Sequence, residues 1–106
     1  MASFPGGKHG PLDAYRHTLA SAVVSYTLGL RAVELVTLVM ESETKTSSTM
    51  DRHNNRIGAT LGSQAKSFAE IQPAVLALVQ QGAVGATNPN QITWLPPSEW
   101  REGLLW

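Results

Sequence analysis

Asp13 and His17 lie four residues apart in a segment with helical periodicity, so both project from one flank of the same helix. A carboxylate accepting a bond from an imidazole N–H fixes the ring's tautomer and raises its basicity, which is the preparation a proton-transfer group needs. Arg16 stands beside the pair and suits a carboxylate or an anionic substrate group. Further on, Asp51, Asn54 and Asn55 supply one carboxylate and two amides within a single helical turn. Adjacent amides turned inward are costly unless every donor and acceptor is met, so they imply a polar site. Glu41 adds a carboxylate on the only polar stripe of an otherwise apolar stretch. Residues 13–62 are therefore expected to bring Asp13, His17, Glu41, Asp51, Asn54 and Asn55 into one buried polar cluster that acts as an active site. The competing reading is plain: Asp13 and Asp51 complement helix dipoles, and His17 is a satisfied core histidine. His9, in a glycine-rich loop, and His53, pointing away from Asp51, are expected to carry no chemistry.

The elements that must position these groups follow from periodicity. Residues 1–11 contain three glycines and two prolines and read as a loop or linker. A first helix covers residues 12–29, with Leu12, Tyr15, Leu19, Val23 and Tyr26 on one face and Gly29 at its end. A second, apolar almost all round, spans residues 30–43, and Thr44–Thr49 reads as a turn of cap-forming residues. A third covers residues 50–68. Its face carries Asp51, Asn54, Asn55, Gly58, Gly62 and Ala65, while Arg52, Arg56, Thr60 and Ser63 lie outside. Two mid-helix glycines cost about 1 kcal/mol each relative to alanine, which makes sense where another backbone packs close. A fourth helix covers residues 73–81 and stops at Gly82. The rest carries turn signals and three tryptophans, with an extended segment expected over residues 91–95 and a helical turn over 98–103. The expected fold is all-α, a compact bundle of about four helices in one domain, 1–106. Within it, 12–82 is the helical core and 83–106 an irregular C-terminal extension.

Composition narrows the functions. Eight basic and eight acidic residues give zero net charge, which argues against nucleic acid as a partner held by general electrostatic attraction. The absence of cysteine removes disulfides, thiolate metal sites and thiol nucleophiles. Any metal must be held by histidine and oxygen ligands. The N-terminus lacks the apolar core of a general signal peptide.

The strings DAYRH (Asp13–His17) and MDRHNNRIG (Met50–Gly58), with Glu41 between them, resemble a family of small bacterial domains of poorly defined function. Those domains occur at the C-terminal ends of polymorphic toxins, wall-associated proteins and secretion-system effectors. The family's pattern is an Asp-x-x-Arg-His segment, a His-Glu pair and an Asp-x-x-Asn-Asn-x-x-Gly segment. It marks Asp13, Arg16, His17, Glu41, Asp51, Asn54, Asn55 and Gly58. This chain departs from it at Met40-Glu41, where the pair's histidine is missing, and at Thr18-Leu19-Ala20, where an aromatic usually follows. The resemblance implies an antibacterial toxin or effector, carried by a secretion apparatus or a larger parent polypeptide and neutralised by a cognate immunity protein. Its expected location is the cytoplasm before delivery and a target cell's envelope afterwards.

Two enzymatic readings and one structural reading follow. The favoured one is an envelope hydrolase acting on peptidoglycan glycan strands and needing no cofactor. There Glu41 is a general acid, Asp13, His17 and Asp51 are its catalytic companions, and Arg16, Asn54 and Asn55 bind substrate. The alternative is a metal-dependent phosphodiesterase acting on phospholipid or nucleic acid, with Asp13, His17, Glu41 and Asp51 as ligands of a divalent ion. The third is a non-enzymatic helical adaptor whose polar network specifies one packing arrangement.

Overall fold

The computed structural model describes residues 4–5, 9–29, 45–86 and 88–100. The expected helix over residues 30–43, with Glu41 on it, lies outside the described residues. The chain is mostly helical, with one small sheet. Helix α1 spans Pro11–Leu28, α2 spans Lys45–Gln64 and α3 spans Ile71–Gln80. Strands β1 (Ala83–Val84) and β2 (Thr93–Trp94) pair in parallel, and single 3-10 turns cover Phe68–Glu70 and Pro97–Glu99.

Pro11 opens α1, where its missing N–H costs nothing, and Gly29 closes it at φ +96°, a conformation few other residues adopt. The buried face of α1 differs from expectation. Ala14, Thr18, Ser21, Ala22 and Ser25 are buried, whereas Tyr15, Leu19 and Val23 are only half-buried against the core and Tyr26 is exposed. The reason lies opposite, on α2. A Cβ on Gly58 would stand 2.3 Å from the carbonyl oxygen of Thr18, and one on Gly62 would stand 2.1 Å from that of Ala22. Backbones this close leave room only for small side chains, and Ser25 Oγ donates across the seam to the Ala59 carbonyl at 2.7 Å. The glycines thus do what their spacing predicts.

Helix α2 starts earlier than expected, taking in the cap-forming tract, and ends at Gln64 rather than at residue 68. Its outer residues Arg52, Arg56, Thr60 and Ser63 are exposed as predicted. Helix α3 contributes Ile71, Val75 and Val79 to the core, where they meet Ala14, Ala22, Ile57 and Ile92. Ile92 lies in the C-terminal extension and is fully buried, so that segment is part of the core and not an appendage. Of the extended segment expected over 91–95, Thr93–Trp94 form the strand β2.

Candidate metal centre

Asp13 is the third residue of α1, counted after the cap Gly10. Its Oδ2 accepts the backbone N–H of His9 at 2.8 Å, so it reaches back over the helix start as a capping carboxylate does. The same side chain, almost fully buried, turns Oδ1 toward His17 Nε2 at 3.4 Å. From α2, Asp51 brings Oδ2 to 3.7 Å from the same nitrogen. One ligand atom from each of the three residues lies within 4.8 Å of the others. The tight α1–α2 seam, made by Gly58 and Gly62 two and three turns further along, holds Asp51 at this distance from α1.

The electrostatics are those of a charged triad. Burial would push the Asp13 carboxyl up, and this is the largest single influence. The His17 imidazole, the His9 N–H and the Arg16 charge together outweigh it, and Asp13 stays below its ordinary value of 3.8. Burial likewise would lower His17, but the two carboxylates hold its pKa above the usual 6.5. Arg16 opposes that rise, so its charge is felt by both members of the pair.

The direction of approach decides what the triad can do. In a general-base relay, the orienting carboxylate binds one ring nitrogen and leaves the other for substrate. Here both carboxylates face Nε2. Charge-assisted hydrogen bonds are shorter, about 2.7–2.9 Å. Neighbouring ligands around an ion held at about 2.1 Å stand roughly 3.0–3.4 Å apart. The 3.4 Å separation stands at the upper end of the ligand range and the 3.7 Å one slightly beyond it, and both exceed a charge-assisted hydrogen bond.

The other expected site residues divide. Asn54 is fully buried, but both ends of its amide are engaged: Nδ2 donates to the Thr93 carbonyl at 2.7 Å and Oδ1 accepts the Thr93 N–H at 3.0 Å. It therefore pairs with β2 as a neighbouring strand would. Asn55 is buried beside it and Arg16 is half-buried. Glu41 lies outside the described residues.

Two histidines expected to be inert have definite places. His53 shares a 2.6 Å hydrogen bond with the Gln91 carbonyl. His9 is buried, sits at φ +67°, and gives its N–H to Asp13. No residue-type signal could reveal His9, because it acts through its backbone. The only hint is an aspartate three positions after the glycine that precedes Pro11, placed to reach back over the helix start.

No curated protein and no solved structure matches the chain. Residues 3–84 match the model of a family described as a domain of unknown function, DUF6973. That span holds Asp13, His17, Asp51 and the glycine seam between their helices, and the chain belongs to this family.

Proposed function

We propose that the domain is a metal-dependent hydrolase of phosphodiesters, working as an antibacterial effector. The observation that carries this reading is the convergence of Asp13, Asp51 and His17 Nε2 on one point. Two carboxylates and one imidazole suit Mg²⁺, Mn²⁺ or Zn²⁺ and leave coordination positions open. An ion held there supplies Lewis-acid polarisation of a phosphoryl oxygen and a water of lowered pKa. Arg16, whose charge already reaches the triad, neutralises a non-bridging phosphate oxygen. The effector role rests on the resemblance of the Asp13–His17 and Met50–Gly58 segments to toxin domains. A phospholipid target also agrees better than nucleic acid with the zero net charge.

The test is hydrolysis of a chromogenic phosphodiester and of phospholipid vesicles by EDTA-stripped protein, before and after Mn²⁺ or Zn²⁺ is restored. Activity should return with the ion and fall at least about 100-fold in Asp51→Asn and in His17→Ala. Full activity in EDTA sinks the proposal. Release of soluble muropeptides from sacculi in EDTA, lost in Glu41→Gln, would instead select the envelope glycosidase.

A further inference from the structure

The contacts around the triad form a closed circuit that leaves the family-matched residues and returns. Asp51 and Asn54 are one turn apart on α2. Asn54 holds the Thr93 peptide by both its N–H and its carbonyl. Two residues on, the Leu95 N–H donates to the His9 carbonyl at 2.8 Å. The His9 N–H donates in turn to Asp13 Oδ2, and Asp13 Oδ1 faces His17, which faces Asp51. Residues 93–95 lie beyond the matched span of 3–84.

Each link is built to hold position. The β1 N–H groups of Ala83 and the N–H of Gly85 after it donate to the Ile92 and Trp94 carbonyls on one edge of β2. Thr93 points its own N–H and carbonyl the other way, to Asn54, so the segment is gripped from both sides. His53 and Arg56 take the Gln91 and Pro89 carbonyls upstream, which ties alternate residues of the same stretch to α2. His9 needs such support. At φ +67° this non-glycine residue sits in the left-handed region that L side chains rarely adopt. It is anchored there by bonds on both its carbonyl and its N–H.

We infer that residues 93–95 are a positioning strap for the metal centre, acting through the His9 backbone to aim the Asp13 carboxylate. The inference rests on the metal reading of the triad. Outer-sphere hydrogen bonds to a ligating carboxylate set its orientation, and their loss typically weakens metal binding about 10- to 100-fold. Here the outer-sphere donor is a backbone N–H, and the strap fixes the peptide next to it.

Leu95→Pro tests it, since it removes the N–H that donates to the His9 carbonyl. Trp94 before Leu95 is already extended, as the residue before a proline has to be. Leu95→Ala is the control, losing the side chain and keeping the N–H. Mn²⁺ affinity is measured by calorimetry on each full-length protein, alongside melting temperature and the His9 amide and His17 ring resonances in the metal-free state. The strap predicts that Leu95→Ala binds Mn²⁺ like the parent. Leu95→Pro binds about tenfold more weakly, with its His9 amide and His17 ring resonances displaced. A Leu95→Pro protein that binds as tightly as Leu95→Ala overturns the strap. If the parent binds neither Mn²⁺ nor Zn²⁺, the metal reading fails by itself. The strap is then judged on the resonances alone, and His9 and His17 signals unmoved between the two variants overturn it.

Discussion

His17 lies between two carboxylates, and that arrangement makes the metal-free protein sensitive to pH in a defined direction. Its folded pKa is raised above 6.5, so its contribution to stability is complete below that value and is lost as pH climbs through the folded pKa. Asp13 is lowered below 3.8, so its contribution is present above that value and disappears as acid carries the pH through the folded pKa. Both contributions are therefore present together between pH 3.8 and 6.5. In EDTA the melting temperature should peak in that window and decline as pH rises beyond it. His17→Gln should flatten the decline on the alkaline side. A bound ion reverses the trend, because it requires neutral His17 and releases its proton. Mn²⁺ affinity should therefore rise with pH across the range where the metal-free protein weakens. A melting curve in EDTA that climbs steadily from pH 6 to 9 would contradict the assignment of His17 as the protonated member.

At the scale of elements, the site depends on how closely α1 and α2 approach. Gly62→Ala ought to gain helix propensity, by about 1 kcal/mol. The new methyl would meet the backbone carbonyl of Ala22 at 2.1 Å, where no flexible side chain can yield. The clash should win, with a net loss of about 1–3 kcal/mol in urea denaturation. Ser63→Ala, on the exposed side of the same helix, should stay within about 0.5 kcal/mol. Forcing the helices apart also separates Asp51 from His17, so Mn²⁺ binding should weaken in Gly62→Ala but not in Ser63→Ala. If Gly62→Ala stabilises the fold, close approach is not the reason for the glycine. This seam was legible in the sequence, because two glycines four apart inside a helix have few other physical explanations. Asp13 and His17 were legible for the same reason, since spacing alone puts them on one flank. The face α1 buries was harder to read. Apolar periodicity favours Leu12, Tyr15, Leu19, Val23 and Tyr26, but the buried line is Ala14, Thr18, Ser21, Ala22 and Ser25, with Thr18 and Ala22 directly against the two glycines. Periodicity reports which side chains are apolar, whereas burial here was decided by how near two backbones can come.

At the scale of the whole molecule, the segment over 88–100 is bound to α2 and to the residue before the α1 cap by contacts that residue types do not announce. Asn54 and Thr93 are 39 residues apart, and what Asn54 recognises is a peptide group, which every residue has. His9 and Leu95 meet backbone to backbone. Local pattern placed Asn54 on the small-residue face of α2, yet its partner could be found only in three dimensions. The boundary of the family match therefore should not be the boundary of the folding unit. A chain ending at Gly85 keeps the whole matched span of 3–84. It loses Ile92 from the core, and burying such a side chain is worth roughly 1.5–3 kcal/mol. It also strips the buried Asn54 amide of both its partners, at about 1–3 kcal/mol for each polar group left unmet. Gly82 would lose the Trp94 ring and the Ile92 carbonyl that close over it. Against a total stability of about 5–15 kcal/mol for a domain, these losses are large. The shortened chain should lose its cooperative melting transition by circular dichroism, while the 106-residue chain keeps it. A cooperative transition at an unchanged temperature in the shorter chain would mean that α1–α3 fold without β2.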